Sequence, residues 1–318
     1  MKILFVTGSR GEWGYIRPIL QLCKANPDVE YHLCVTNMHL LPAYGLSKQE
    51  IEQDGFKIHD PIYMSLDGYN HLSMVKSLGI FLTSFSDVLA SAQPDWIMLA
   101  GDRGEQLMAA IAGGLCYIPV GHIQAGELSG NIDGMTRHAI GKYAHLHFAA
   151  NEDAAQRLIR LGEEPFRVKH VGAPQVNELV AGQVTDFSKL CEQHSLPLKK
   201  QGYLLVVQHP VTEEMHLAQE QIQVTMRLLS DIALPKIVIL PNNDAGSHLI
   251  REGIEQYRHG DFYPFANLKR EEYLSFLKHT ACLVGNSSSG LLEAPTFKVP
   301  VVNLGRRQIG RLRGLNAG

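Results

Sequence analysis

Short apolar runs recur along the whole chain, separated by longer amphipathic stretches. They occupy residues 3–6, 31–35, 96–99, 118–121, 146–149 and 168–171 in the first half, and residues 203–207, 237–240, 262–263, 282–284 and 299–303 in the second. Runs of this length are typical of strands buried on both faces, and their alternation with helical segments indicates parallel sheets with right-handed crossovers. The pattern predicts an α/β protein built from doubly wound parallel sheets.

The length of the chain bears on the number of domains. A chain of 318 residues exceeds the usual size of one hydrophobic core, so we expect two domains. A polar interval at residues 183–200 separates the two series of apolar runs, and no short-period repeat relates them. We predict an N-terminal domain over residues 1–172 and a C-terminal domain over residues 173–318.

Composition excludes several classes of protein. Lys plus Arg number 29 and Asp plus Glu number 32, so no global positive field attracts nucleic acid or anionic lipid. No apolar run approaches the ~20 residues of a membrane helix. The five cysteines lack disulfide or metal-ligand spacing and are typical of reduced core residues. We expect a cytoplasmic protein with no nucleic-acid or membrane partner.

Ligands of doubly wound sheets bind at the carboxyl ends of the strands, where loops open into a crevice. Segments rich in polar or small residues follow the predicted strands at residues 7–18, 101–105, 122–137, 208–212 and 285–295. Functional side chains are expected in these segments.

The last of these segments is a candidate phosphate-binding loop. Its small residues let the backbone approach an anion, and hydroxyls and helix N-terminal amides add donors. Ser287, Ser288, Ser289 and Gly290 are therefore candidate diphosphate contacts, and Glu293, one turn inside the predicted helix, is a candidate ribose contact. The alternative is a serine-rich turn that only caps the helix.

Arginines near this loop are candidates for pairing with phosphate. Arg306 and Arg307 follow the last predicted strand, whereas Arg311 and Arg313 fit a solvated basic face better. Arg10 lies in the first strand-to-helix turn and is a further candidate phosphate contact. The glycines of that turn, at positions 8, 11 and 14, do not match the dinucleotide-binding fingerprint.

Carboxylates follow two predicted strands of the first half. Asp102 and Arg103 come directly after one strand, and Glu127 comes after the next. Asp133 and Arg137 share one face of the helix that follows. Crowded like charges raise one another's pKa, which makes a carboxyl group a usable acid or base near neutrality. Asp102, Glu127 and Asp133 are therefore candidate catalytic groups, and Arg103 and Arg137 are candidate contacts of the substrate or nucleotide.

Each of these carboxylates also has a structural interpretation. Asp102 could cap a helix, Glu127 could pair with Arg137, and Asp133 could be a helix N-terminal charge.

His209 follows the first strand of the second half and could contact sugar or phosphate, shuttle protons, or be purely structural. His39, His122 and His138 compete for similar roles, with His122 placed after its strand. No histidine pair has zinc-ligand spacing on one element, so we expect no metal site.

Several segments together resemble one enzyme family, the hydrolysing UDP-N-acetylglucosamine 2-epimerases. The similarity spans nearly the whole chain and rests on residues 7–10, 101–103, 126–127, 132–133, 137–138, 208–212, 241–247, 285–290 and 302–310. The resemblance implies a GT-B fold, in which two Rossmann-like domains face each other across the active site. It implies conversion of UDP-N-acetylglucosamine to N-acetylmannosamine and UDP, by elimination to a glycal and hydration, as in sialic acid biosynthesis.

The resemblance also assigns residues and partners. Asp102, Glu127 and Asp133 match the family's catalytic carboxylates, and His209 matches its cleft histidine. The nucleotide contacts of the family match Ser287, Ser288 and Glu293, and further ligand contacts match Arg10 and Arg307. We expect a UDP-sugar substrate, UDP as product, no cofactor, and a homodimer or homotetramer.

Two departures from the family pattern stand out. Gly134 occupies a position where several relatives carry a second acidic residue. Relatives also continue for some tens of residues beyond the position of Gly318, so we interpret the chain as truncated, with a looser interdomain geometry. Other functions stay open: a GT-B glycosyltransferase, a sugar-nucleotide-binding regulator, or the same reaction on a GDP-sugar or a diacetamido-trideoxy sugar.

Overall fold

The computed structural model describes residues 1–180, 182 and 184–317. The chain divides into two compact units, Met1–Gly68 with Leu72–Asn177, and Tyr69–His71 with Glu178–Gly318. Each unit contains one parallel sheet with helices between its strands, which confirms the predicted fold class. Residues 183 and 318, where the predicted polar interval begins and the predicted C-terminal domain ends, lie outside the described residues.

The first unit is built on a parallel sheet of seven strands within the described residues. The strands are β1 (Lys2–Thr7), β2 (Glu30–Thr36), β3 (Asp60–Ile62), β4 (Trp96–Ala100), β5 (Val120–Ala125), β6 (Leu146–Ala149) and β7 (Val168–His170). The helices are α1 (Arg10–Ala25), α2 (Lys48–Gln53), α3 (His71–Ala92), α4 (Gly104–Leu115), α5 (Ile132–Tyr143), α6 (Glu152–Arg160) and α7 (Pro174–Val180), the last of which contains the change of unit. Short 3-10 helices lie at Asn37–Leu40, Pro42–Tyr44 and Pro165–Arg167.

The strand order of this sheet, β3-β2-β1-β4-β5-β6-β7, reverses direction between β1 and β4. Both faces of the sheet are covered: Leu4 and Val6 pack into one buried cluster, and Phe5 packs into the cluster on the other side. Burial on both faces explains why β1 is a continuous apolar run. Because β1 and β4 are neighbours, the loops that follow them lie side by side at the carboxyl edge, where ligands of such sheets bind.

Helix α3 is long and apolar enough to cross a membrane by length and composition, which alone is weak support for a membrane span. Its Phe81, Phe85 and Leu89 pack into the core of the first unit. This packing accounts for part of the apolar composition of the helix, whereas Leu72 and Val75 near its start are exposed.

The second unit contains a parallel sheet of five strands within the described residues. Its strands are β8 (Leu204–Val207), β9 (Lys236–Ile239), β10 (Phe262–Phe265), β11 (Cys282–Gly285) and β12 (Val301–Asn303), in the order β10-β9-β8-β11-β12. Its helices are α8 (Phe187–Gln193), α9 (Ala218–Ser230), α10 (Ser247–Glu255), α11 (Arg270–His279) and α12 (Ser289–Leu292), with 3-10 helices at Thr212–Leu217 and Ala294–Phe297. The order reverses between β8 and β11, so the loops after those two strands are neighbours.

The structure corrects two sequence-based expectations in the first sheet. Strand β3 is absent from the apolar runs, because it is a three-residue edge strand that contains Pro61. Strand β5 extends to Ala125, so His122 lies inside the strand and not in the loop after it. Burial lowers the pKa of His122 to about 3, and the neutral ring donates from Nε2 to the Gly101 carbonyl at 2.7 Å. A neutral ring that is paired through Nε2 is compatible with a central strand.

The cysteines are all free, but they are not all core residues. Cys23, Cys34 and Cys191 are buried, Cys282 is half-buried, and Cys116 is exposed. The prediction is wrong for Cys116 because that residue is the C-cap of α4, in an exposed segment that includes Leu115 and Tyr117.

Candidate active site

A buried arginine organises the carboxyl edge of the first sheet. Arg137 projects from α5, and only 2% of its surface is exposed. Its guanidinium donates from Nη2 to the carboxylate of Asp102, and from Nη1 to the carbonyl of Glu127 at 3.1 Å and to Oγ of Ser129 at 3.0 Å. The loops after β4 and β5 are therefore held together by one side chain.

The three candidate catalytic carboxylates surround this arginine. Burial alone would lower the pKa of Arg137, but the charges of Asp102, Glu127 and Asp133 help to raise it above its ordinary value. Glu127 is buried, and its Oε1 accepts from the Asn151 amide at 3.3 Å. The structure thus brings together three carboxylates that are spread over a span of 31 positions in the sequence, from residue 102 to residue 133.

The backbone after β4 explains where Asp102 lies. Gly101 has φ +84°, a conformation that favours glycine, and the chain turns sharply there before α4 begins at Gly104. Arg103 occupies the N-cap position, so Asp102 does not cap this helix. The structural interpretation of Asp102 as a cap is therefore wrong.

Asp133 lies in the first turn of α5, where a helix N-terminus favours an acid. Its Oδ2 accepts from the Asn131 side chain at 3.0 Å. A Cβ atom added at Gly134 would lie 2.7 Å from the Ser129 carbonyl oxygen. The second acidic residue of some relatives would therefore require the backbone at Ser129 to move.

A second pair of acids lies beside this cluster, and sequence reasoning assigned it no role. Glu12 in α1 and Glu105 in α4 are each 2% exposed. The Gly8 N–H donates to Glu12 at 2.6 Å, while Glu105 accepts from Asn37 at 2.9 Å and from Arg103 at 3.2 Å. The available signal was an Arg-Gly-Glu triplet that occurs after both β1 and β4, at residues 10–12 and 103–105.

Burial and the neighbouring Glu105 raise the pKa of Glu12 to about 8, against smaller opposing effects of Arg103, the Gly8 N–H and Gln106. Folded protein therefore keeps a proton on Glu12 between about pH 4.5 and pH 8, whereas the unfolded chain has released it. Each proton held only by the folded state makes stability fall as pH rises through this window.

We expect Glu12→Gln to remove this contribution to the pH dependence, because glutamine remains neutral. Between about pH 5.5 and about pH 8, the change in the free energy of unfolding, measured by urea titration, should be more negative in the wild type than in the variant by on the order of a few kcal/mol. The comparison with the variant cancels the opposite contribution of histidines such as His39 and His122, whose pKa burial lowers. Glu164→Gln, at an exposed position, is the matched control. Equal pH dependence in the wild type and in Glu12→Gln would contradict the assignment.

In the second unit, His209 lies in the loop after β8 and is half-buried. Its backbone N–H donates to Oδ1 of Asn286 at 2.7 Å, and its carbonyl accepts from Nδ2 of the same side chain at 2.8 Å. Its ring accepts at Nδ1 from the Asn242 N–H at 3.2 Å. The loops after β8, β9 and β11 therefore meet at His209.

The serine loop divides into two parts. Ser289 and Gly290 are buried, and Ser289 accepts from the Tyr273 hydroxyl and donates to Glu293, both at 2.6 Å. Ser287 and Ser288 are half-buried, with Ser288 at the N-cap of α12. Of the four loop residues, Ser287 and Ser288 are the more accessible.

The sequence predicts Glu293 inside a helix, but the structure places it just after the helix end. Helix α12 ends at Leu292, and Glu293 is its C-cap, because Pro295 cannot continue an α-helix; a 3-10 helix begins at Ala294 instead. Its carboxylate is buried and pairs with Arg270 at 2.6 Å, in addition to Ser289.

The arginines occupy different environments. Arg10 is the first residue of α1, and Arg307 donates to the carbonyl of Asn286 at 3.4 Å. Arg313 is exposed, as expected of a solvated face, but Arg311 is buried and donates to Gln308 at 3.0 Å. The solvated interpretation is wrong for Arg311, because its side chain is buried and bonded to Gln308 within the loop after β12. Within the described ranges, no group of three or more His, Cys, Asp or Glu side chains could hold a metal ion.

Comparison with known proteins places the chain among sugar-nucleotide epimerases. A sequence model described as UDP-N-acetylglucosamine 2-epimerase matches residues 21–317. The UDP-N,N'-diacetylbacillosamine 2-epimerase (hydrolyzing) of Legionella pneumophila is 40% identical over 99% of this chain and 84% of its own length. The UDP-N-acetylglucosamine 2-epimerase of Neisseria meningitidis serogroup B is 34% identical over 98% of this chain and 82% of its own length.

Solved structures share the fold. The UDP-GlcNAc 2-epimerase from Neisseria meningitidis bound to UDP-GlcNAc superposes with a TM-score of 0.80 at 19% identity, over 97% of this chain and 84% of that one. The Methanocaldococcus jannaschii enzyme in complex with UDP-GlcNAc and UDP gives a TM-score of 0.80 at 18% identity, over 96% and 84% of the two chains. With a family match over most of its length and relatives at 34 to 40% identity over 98 to 99% of it, this chain belongs to the UDP-N-acetylglucosamine 2-epimerase family.

Proposed function

We propose that the protein is a hydrolysing sugar-nucleotide 2-epimerase that converts UDP-N-acetylglucosamine to N-acetylmannosamine and UDP. The observation that carries the proposal is the group of three carboxylates, Asp102, Glu127 and Asp133, around the buried Arg137. Inversion at C2 needs groups that remove a proton and return one, and a carboxylate cluster at the carboxyl edge of a sheet supplies them. Membership in the epimerase family supports this reaction over glycosyl transfer.

The hydrogen on C2 of the sugar is not acidic, so its simple removal would leave a poor carbanion. Elimination avoids this carbanion, because the leaving group departs from C1 as the proton is removed. A carboxylate takes the C2 proton, the C1–O bond breaks, and its electron pair leaves with UDP as the C1–C2 double bond forms. The hydroxyl of a water molecule then adds to C1, and a proton returns to C2 on the other face. The products are free N-acetylmannosamine and UDP.

Negative charge accumulates on the departing diphosphate, so hydrogen-bond donors and cations accelerate its departure. We assign this role to Arg10 and Arg307 together with Ser287 and Ser288, the accessible part of the serine loop. Glu293 fixes Ser289 and Arg270, so we infer that it supports this loop. The chemistry assigned to these residues requires no redox cofactor.

A second substrate is favoured by one specific observation. The Legionella relative, at 40% identity, is named for UDP-N,N'-diacetylbacillosamine, which carries an acetamido group at C4 and lacks the C6 hydroxyl. The reaction at C1 and C2 is the same for both sugars, so the same carboxylates serve either one. Values of kcat/KM measured side by side for the two UDP-sugars decide between them.

Solvent exchange tests the elimination route. A proton taken by a carboxylate in a hydrated site exchanges with water, so the sugar released in deuterated water should have inverted configuration and deuterium at C2. Proton NMR of the product measures both. A transferase or hydrolase that acts at C1 leaves the C2 configuration and proton untouched, so unlabelled N-acetylglucosamine as the sole sugar would exclude the epimerase. Product incubated with the protein without UDP is the control and should gain no label.

A further inference from the structure

One side chain fixes the backbone of His209. Asn286 bonds both the N–H and the carbonyl of His209, at 2.7 and 2.8 Å, and is only 4% exposed. Two hydrogen bonds of the Asn286 backbone hold this residue in place. Its N–H donates to the carbonyl of Val207 at 3.0 Å, and its carbonyl accepts from Nε2 of Gln308 at 2.8 Å. A buried amide with both ends paired leaves His209 little freedom to shift.

The imidazole ring of His209 is fixed by a different contact. Its Nδ1 accepts from the backbone N–H of Asn242 at 3.2 Å. Asn242 is held in turn, because its side chain bonds both the carboxylate and the N–H of Asp244. A proton on Nδ1 would face the Asn242 N–H and break this hydrogen bond, so the neutral ring carries its proton on Nε2.

This tautomer decides what His209 can do. A general base must offer a lone pair to the proton that it removes. In His209 the Nδ1 lone pair accepts from Asn242, and Nε2 carries the proton. The ring is therefore arranged to donate a hydrogen bond.

We propose that Asn286 is a positioning residue which, together with the Asn242 N–H, holds His209 as an Nε2–H donor to the diphosphate of the ligand. Asn286 directly precedes Ser287, so one residue orients both His209 and the accessible part of the serine loop. The identity of the ligand rests on the proposed function, whereas the tautomer does not. His209 then stabilises the departing diphosphate and takes no part in removing the C2 proton.

The tautomer is tested without any turnover. Two-bond 15N–1H correlation spectra of protein labelled at histidine distinguish a protonated ring nitrogen from an unprotonated one, and His209→Gln identifies the His209 signals. We expect Nδ1 unprotonated and Nε2 protonated at neutral pH. A His209 signal set with the proton on Nδ1 would overturn the proposal, whether or not the protein is an epimerase.

Asn286→Ala tests the positioning role. Without the amide, the His209 backbone is free to move away from Asn242, so the two ring nitrogens should shift toward the averaged values of a ring that exchanges between tautomers. Thr280→Val is the matched control, because Thr280 is 3% exposed and bonds the Tyr203 carbonyl at 3.0 Å, before β11 begins at the opposite edge of the same sheet. We expect unchanged His209 signals in this control. Unchanged signals in Asn286→Ala would refute the positioning role.

The donor role is tested by UDP binding, measured by calorimetry. Glutamine places an amide N–H near the position of Nε2, so His209→Gln should weaken UDP binding by only a few fold, whereas His209→Ala should weaken it by about tenfold or more. Equal losses in both variants would refute hydrogen-bond donation. If UDP binds as expected but no epimerised sugar forms, the proposed function fails and the His209 assignment stands.

Discussion

Asp102→Asn, Glu127→Gln and Asp133→Asn are each expected to lower turnover by about a hundredfold or more while UDP affinity changes by only a few fold. These substitutions keep the size of the side chain and remove its ability to accept a proton from C2 or return one to it. They leave the serine loop untouched, so contacts with the leaving group should persist. Steady-state kinetics and calorimetric titration with UDP measure the two quantities separately.

Asp153→Asn is the matched control for this series. Asp153 is a partly exposed carboxylate of the same unit, paired with Arg157 within α6, and its replacement should leave turnover unchanged. Thermal unfolding of every variant shows whether lost turnover comes from lost structure, a particular concern for Asp102 because it pairs with Arg137. Turnover close to wild type in all three carboxylate variants would remove the basis for the proposed mechanism.

Arg137→Met is expected to lower the free energy of unfolding of the first unit by about 3 kcal/mol or more. The substitution removes three hydrogen bonds from a buried site and leaves Asp102, Glu127 and Asp133 without the cation between them. Arg137→Lys should fall between the wild type and Arg137→Met, because an ammonium keeps the charge but lacks the planar fork that reaches Asp102 and Glu127 together.

The tryptophans make this measurement specific to the first unit. Trp13 and Trp96 are the two tryptophans of the chain, and both lie in that unit, so fluorescence during urea unfolding follows it alone. The control is Arg160→Met, at an exposed arginine in the last turn of α6 in the same unit, which should change stability by less than about 0.5 kcal/mol. A loss no larger in Arg137→Met than in Arg160→Met would show that the buried arginine does not hold the loops together.

Local sequence patterns predict this fold well because most strands are buried on both faces. A run such as residues 203–207 has few alternatives in a chain where helical stretches surround it. Prediction failed where a strand is short or polar. β3 contains Pro61, and β5 contains His122, whose Nε2 is paired with the carbonyl of Gly101, a residue distant in the sequence.

The sequence predicts those residues of the candidate site that directly follow a predicted strand. Asp102 and Glu127 were identified because loops at the carboxyl edge bind ligands, and their catalytic roles stay predictions. Glu12 and Glu105 face each other only because β1 and β4 are adjacent in the sheet, and local periodicity does not reveal that adjacency. Asn286 was assigned no role for the same reason, since its contacts with His209 depend on the pairing of β8 with β11.

The close approach of Gly8 to Glu105 limits how this protein can change during evolution or in a mutant library. A Cβ atom at position 8 would lie 2.2 Å from Oε1 of Glu105, which Asn37 and Arg103 hold in place. Alanine at position 8 is therefore accessible only after residue 105 has become shorter. The two positions are epistatic, and the order in which their substitutions arise decides which intermediates are destabilised. A library that varies position 8 alone would sample mostly destabilised sequences, whereas paired variation opens routes that single substitutions close.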